Sequence, residues 1–174
     1  MSGVAPRPFA DVLDVIAICG FAVLLAVAAL TDVTTLRVPN VLCAAIGLLY
    51  PLYVLNAASA GDWFWSLALA IIVFAVASVL FSFHMVGGGD VKLLAAIALW
   101  AGPDHMLEFL GSVAVAGGVL ALILLSPLGR LLSTWWGPPN PSDDTEAVLA
   151  STMPYGVAIA FGGLVLAARL LGFW

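Results

Sequence analysis

The sequence predicts an all-α, polytopic membrane protein with six transmembrane helices. Hydrophobic residues make up 64% of its 174 positions and charged residues only 9%, whereas soluble domains are about half apolar and about a quarter charged. The apolar residues also fall into long runs, and a helix needs about 20 of them to cross a bilayer. We therefore expect residues 1–174 to form a single membrane-embedded domain.

Six apolar stretches account for the predicted helices. In chain order they cover residues 13–32, 40–57, 63–83, 90–102, 106–126 and 152–172. Pro39 and Asn40 mark the start of the second helix, with Asn40 as its cap. The fourth stretch is short, so its helix must tilt or extend into the glycine run before it. Residues 127–151, rich in proline and acidic residues, are predicted to be a solvated cytoplasmic connector, with a mobile lid as the alternative.

The distribution of charge excludes one class of partner and predicts an orientation. Five Lys plus Arg stand against ten Asp plus Glu, a net charge of -5, so the chain has no basic face for nucleic acid. If Asp32 and Asp90 share a side of the membrane, the loops on that side contain Arg37, Lys92 and Arg130. The positive-inside rule makes that side cytoplasmic.

Metal and disulfide chemistry are not indicated. Cys19 and Cys43 are the two cysteines of the chain, and they are expected at different depths and unpaired. No Cys/His cluster has zinc-site spacing, and two carboxylates are too few for calcium. His84 and His105 lack a His-Glu-x-x-His context and are interpreted as interfacial side chains. We expect catalysis without a metal or a cofactor.

Two acids at helix ends are the candidate catalytic residues. Asp32 ends the first predicted helix, and Asp90 follows the glycine run 87–89 at the start of the fourth. An ionisable group in or beside the bilayer is costly and therefore indicates function. Each has a structural alternative: Asp32 as the ion-pair partner of Arg37, and Asp90 as a helix N-cap. Capping leaves the glycines unexplained, since each costs about 1 kcal/mol in a helix relative to alanine but lets another chain approach closely.

Two converging carboxylates predict acid–base chemistry on water. They cannot both ionise easily, so one keeps a proton while the other activates a water molecule that attacks a carbonyl. The helix macrodipole favours Asp90, at an N-terminus, as the base and Asp32, at a C-terminus, as the proton-holding acid. A proton- or ion-coupled transporter, or an assembly subunit using the same acids, is the alternative function.

The residues around both acids resemble the motifs of a known family. Residues 87–96 are similar to the Gly-x-Gly-Asp signature of type IV prepilin peptidases, including its trailing Lys-Leu and Ala-Ala. Residues 32–40 resemble the first-aspartate segment of that family, and residues 153–158 resemble the Pro-Tyr-Gly element of its small Flp-pilus members. Presenilin-like enzymes also contain Gly-x-Gly-Asp but resemble this chain less elsewhere.

The resemblance implies an inner-membrane aspartic endopeptidase that removes the leader peptide of Flp-type IV prepilins or pseudopilins at the cytoplasmic face. Asp32 and Asp90 would be its catalytic pair, and membrane lipid and the pilus-assembly machinery would be further partners. Longer members carry a soluble cysteine-bearing insertion and also N-methylate the new amino terminus. No such insertion follows the first predicted helix here, which implies a peptidase without methyltransferase activity or a methyl donor.

The residues expected to bind substrate or to support the catalytic pair are Gly87, Gly88, Gly89, Lys92, Pro39, Asn40, Pro154 and Gly156. Several of them also have structural interpretations. Lys92 has the length to snorkel to the membrane surface. Pro154 suits the first turn of the sixth helix, and Gly156 permits close packing of that helix.

Overall fold

The computed structural model describes residues 8–56, 63–126 and 155–173. Every regular element in these ranges is a helix, which confirms the all-α prediction. The helices are α1 (Pro8–Thr35), α2 (Asn40–Asn56), α3 (Trp63–Ser82), α4 (Gly88–Leu125) and α5 (Tyr155–Leu170). The predicted connector 127–151 lies outside the described residues.

The prediction of six transmembrane helices is not supported. Within the described residues there are five helices, and three of them are long and apolar enough to cross a membrane: Val12–Thr35 of α1, α3 and α4. Helices α2 and α5 are apolar but shorter. The predicted spans 90–102 and 106–126 are the two arms of α4. The break between them that the sequence predicts is a bend within this helix and not a loop between two helices.

The bend in α4 is at Gly102. Its backbone has φ 55° and ψ −168°, a conformation that is essentially restricted to glycine. The next residue is Pro103, which lacks the N–H that would continue the helical hydrogen bonds. A straight helix of 38 residues would measure about 57 Å, nearly twice the hydrocarbon thickness of a bilayer, about 30 Å. The bend therefore lets one long apolar segment fold against its neighbours.

The bundle core lies between α4 and the other helices. Helix α4 packs against α2, α3 and α5, and α1 packs against α2 and α5. Phe21 stacks on Trp100 with ring centroids 4.4 Å apart, and the Trp100 indole Nε1 donates a hydrogen bond of 3.0 Å to the Ile46 carbonyl. Large apolar side chains of α3 point outward, as expected for a surface that meets lipid.

Five helix ends meet at one end of the bundle. A polar cavity there is lined from the C-terminal end of α1, the linker into α2, the segment after α3 and the first residues of α4 and α5. The two acids singled out in the sequence belong to the first and fourth of these helices. The fold thus brings residues 32 and 90 to one place.

Candidate active site

Asp32 lies in the last turn of α1, where the local sequence ends the helix. Leu36 adopts the left-handed conformation with φ 51°, and its N–H donates a hydrogen bond of 2.9 Å to the Asp32 carbonyl. This is the αL type of helix termination. The hydroxyl groups of Thr34 and Thr35 donate hydrogen bonds to backbone carbonyls of the preceding turn. The chain therefore leaves α1 within one turn of Asp32 and then passes the start of α4 at Val38.

The Asp32 side chain is buried, with 4% of its surface exposed, and carboxylic acids are almost never fully buried unless they have partners. Its Oδ2 accepts a hydrogen bond of 3.1 Å from the backbone N–H of Val157, and the Gly156 backbone also donates to it. Both donors belong to the first turn of α5. Asp32 therefore faces the N-terminus of α5 as well as the C-terminus of its own helix. The macrodipole of α1 alone does not decide which of the two acids holds the proton.

Asp90 is the third residue of α4, and Gly87 is the N-cap. The Asp90 carboxylate reaches back and accepts a hydrogen bond from the Gly87 N–H, which is one half of a capping box. The alternative that Asp90 itself is the N-cap is therefore wrong. The helix start instead fixes this side chain above the glycine run.

The glycines before Asp90 differ in the space around them. A Cβ on Gly87 would lie 2.9 Å from Asp90 Oδ2, and one on Gly89 would lie 3.0 Å from the Val38 carbonyl oxygen. A Cβ on Gly88 would make only an ordinary contact, 3.4 Å from the Phe81 ring. The pattern Gly-x-Gly-Asp thus corresponds to two positions without room for a side chain and one position with room.

The two acids line the same polar cavity, which has a volume of about 360 Å³. The remaining lining residues are Leu36, Arg37, Val38, Asn40, Met85, Val86, Gly87, Gly88, Gly89 and Tyr155. A larger apolar groove of about 520 Å³ involves α2, α3 and Leu99, but no acidic or basic side chain lines it. The polar cavity is therefore the candidate active site.

The other predicted site residues have different positions. Lys92 Nζ donates a hydrogen bond of 2.8 Å to Asn40 Oδ1. Asn40 is the first residue of α2, so its side chain ties α2 to α4, and its predicted capping role is not what the structure shows. Pro39 precedes α2, and its carbonyl accepts the N–H of Leu42. Pro154 lies outside the described residues.

Sequence reasoning missed several residues around the acids. Arg37 was considered as an ion-pair partner of Asp32, but the ion pairs among the described residues join Glu108 to His105 and to Arg169. Arg37 lines the cavity instead. Val38, Tyr155 and Val157 were not predicted as site residues. Tyr155 and Val157 flank Gly156 in the Pro-Tyr-Gly element, which was the available signal.

His84 and Cys43 have structural positions near the cavity. His84 has φ 59° and ends α3, with the Met85 N–H bonded to the Leu80 carbonyl and the His84 N–H to the Phe81 carbonyl, a Schellman motif. Cys19 and Cys43 are both free, as predicted, and the buried Cys43 thiol lies 3.8 Å from the Gly89 carbonyl oxygen. Among the described residues, no group of three or more His, Cys, Asp or Glu side chains could hold a metal.

Comparison with known proteins identifies the family. The model of the type IV leader peptidase family matches residues 19–122, a range that includes both acids and the glycine run. No curated protein and no solved structure matches the chain. The matched range is more than half of the chain, and it includes helices that are long and apolar enough to cross a membrane. The chain belongs to the type IV leader peptidase family.

Proposed function

We propose that this protein is an aspartic leader peptidase that processes Flp-type IV prepilins or pseudopilins, with Asp32 and Asp90 as its catalytic pair. One observation carries the proposal. The two carboxyl groups come from distant parts of the chain and line one polar cavity at the end of the bundle. Membership of the leader peptidase family supplies the class of reaction.

The cavity supports hydrolysis by a pair of acids. Its volume of about 360 Å³ accommodates a short stretch of extended peptide together with a water molecule, which occupies about 30 Å³. One carboxylate takes a proton from water as the water oxygen attacks the scissile carbonyl carbon. The protonated partner donates a hydrogen bond to the carbonyl oxygen. Transfer of a proton to the leaving amide nitrogen then breaks the C–N bond and releases the leader.

The distribution of basic residues supports a cytoplasmic active site. Arg37 lines the cavity, and Lys92 binds Asn40 at its rim. Toward the opposite end, the charge of Arg169 is balanced by Glu108, 3.5 Å away. Of the three Lys and Arg residues in the described ranges, two are therefore at the cavity end. The positive-inside rule, which counts Lys and Arg, assigns that end to the cytoplasmic side of the plasma (inner) membrane.

The connection between α1 and α2 supports a peptidase without N-methyltransferase activity. Only residues 36–39 separate the two helices, and they are occupied in ending α1 and packing Val38 against Gly89. This leaves no space for an inserted soluble domain. No methyl-donor cofactor or metal is needed for the proposed hydrolysis.

The test is co-expression with a candidate Flp-type prepilin. We compare leader removal by the wild type, Asp32→Asn and Asp90→Asn, with Asp104→Asn as a matched control because Asp104 is an exposed acid of α4 beyond the bend. Each active-site variant should lose at least about 100-fold in cleavage rate, whereas the control should cleave normally. Mass spectrometry of the product should show a free, unmethylated amino terminus.

Two results would reject the proposal. Full processing by either Asp32→Asn or Asp90→Asn would exclude the catalytic pair. Proton flux through the purified protein without cleavage of any prepilin would favour the transporter alternative. Immunoblotting of the membrane fraction is the control that tests whether each variant accumulates normally.

A further inference from the structure

The first turn of α5 contacts the Asp32 side chain through its backbone. The Val157 N–H donates to Asp32 Oδ2 over 3.1 Å, and the Gly156 backbone donates to the same carboxyl group. Such N–H groups at a helix start have no partner within the helix. Here they find a partner in a buried carboxyl group 125 positions away in sequence.

The approach depends on the absence of a side chain at Gly156. A Cβ at this position would lie 2.8 Å from both Cγ and Oδ2 of Asp32, and 3.0 Å from Val38 Cγ2. Real Cβ atoms essentially never approach other atoms within 3.0 Å. An alanine would therefore have to push the Asp32 carboxyl group, the start of α5 or both.

Gly156 differs in this respect from the other closely packed glycines of α5. The nearest neighbours of Gly162 belong to Val113 and Phe109, and those of Gly163 belong to Leu25 and Ile97. Those contacts are apolar or backbone contacts of the kind that lets membrane helices pack closely. At Gly156 alone among these three, the nearest atoms belong to a carboxyl group.

We propose that Gly156 and the Val157 N–H form a positioning element that sets the orientation of the Asp32 carboxyl group. They act through Asp32 and do not contact the reacting atoms. Because Oδ2 accepts the Val157 N–H, a shift of the first turn of α5 would change the orientation of the Asp32 carboxyl group. The consequence for catalysis rests on the proposed function, whereas the contact itself does not. The family model ends at residue 122 and so assigns no role to this turn.

A melting-temperature comparison tests the contact without relying on activity. Gly156→Ala should lower the melting temperature of the purified protein by about 4 °C or more. In the Asp32→Ala background the same change should cost less than half as much, because the atoms it meets have been removed. Gly118→Ala is the matched control, since a Cβ there meets nothing within 4 Å, and it should leave the melting temperature unchanged or raise it through helix propensity.

The outcomes separate positioning from packing. If Gly156→Ala lowers the melting temperature equally in the wild-type and Asp32→Ala backgrounds, the proposal is overturned. Rescue of Gly156→Ala by Val38→Ala but not by Asp32→Ala also overturns it, because the glycine would then serve only to pack against Val38. If Gly156→Ala fails to accumulate in membranes, accumulation of the double variant with Asp32→Ala supports the contact, and failure of both overturns it.

Kinetics with a prepilin substrate test the consequence. Gly156→Ala should reduce kcat about 100-fold, the loss expected from a misplacement of about 1 Å, with KM changed by less than about twofold. Unchanged kcat overturns the positioning role. If the wild type cleaves no prepilin, the proposed function fails, and the melting comparison alone decides whether α5 holds Asp32.

Discussion

Alanine at Gly89 should lower the melting temperature of the protein and slow its cleavage of prepilin, whereas alanine at the adjacent Gly88 should do neither. The Cβ of Gly89→Ala would lie 3.0 Å from the Val38 carbonyl oxygen, 3.1 Å from Val38 Cβ and 3.3 Å from Val38 N. All three atoms belong to or directly adjoin the backbone, so no flexible side chain can swing away. For Gly88→Ala the nearest atom is a Phe81 ring carbon at 3.4 Å.

The expected size of the effect follows from these distances. Favourable contacts begin near about 3.5 Å, so the start of α4 and the linker after α1 must separate by about half an ångström. Such overpacking costs about 1–3 kcal/mol. The displaced residue is the neighbour of Asp90, and a misplacement of up to about 1 Å lowers the rate of a catalysed step by as much as about 100-fold. Gly88→Ala should instead gain up to about 1 kcal/mol from helix propensity.

Thermal unfolding and prepilin cleavage of the two variants measure these effects directly. Gly89→Ala should melt below the wild type and cleave more slowly, and Gly88→Ala should melt at or above the wild type and cleave at a normal rate. Equal behaviour of the two variants, or normal cleavage by Gly89→Ala, would show that steric room at Gly89 is not what the motif requires.

Three further changes have expected outcomes. His84→Gly should stabilise the protein by about 1 kcal/mol in thermal unfolding, because His84 holds φ 59°, and it should leave cleavage intact; loss of cleavage would give the imidazole a chemical role. Gly102→Ala should destabilise the bend of α4 by more than about 2 kcal/mol, since φ is 55° and the new Cβ would lie 2.8 Å from Ser66 Oγ; an unchanged melting temperature would contradict this. Lys92→Met should remove the 2.8 Å hydrogen bond to Asn40 and lower the free energy of unfolding by about 0.5–1.5 kcal/mol. In a double-mutant cycle, the same change in an Asn40→Ala background should cost nothing further. Additive losses would mean that the two side chains act separately.

The sequence was sufficient to predict the helical class and to single out the two acids that line the polar cavity. Long apolar runs specify membrane helices because a bilayer offers no other partner for backbone N–H and C=O groups. Asp32 and Asp90 were conspicuous because carboxylates are rare in such runs. Their meeting in one cavity followed from their places at a helix end and a helix start, together with motifs that occur in the same order in a known family.

The remaining features depend on contacts between distant segments, which periodicity does not encode. The break between residues 102 and 106 was visible, but whether it was a loop or a bend depended on the backbone angles of Gly102, where Ser66 from α3 leaves no room for a Cβ. Asparagine is a typical N-cap residue, yet the side-chain oxygen of Asn40 accepts a hydrogen bond from Lys92 of another helix. The donors to Asp32 lie in α5, and no local pattern in α1 points to them.

The hydrogen bond from Val157 to Asp32 also has a consequence for biosynthesis. Translation produces both acids well before it reaches the last described helix, and a nascent chain that has passed residue 90 lacks the N–H group that holds Asp32. The arrangement around the first acid is complete only after α5 has been made and has packed against α1. A partly synthesised chain therefore contains both acids but lacks the hydrogen bond that α5 makes to the first of them.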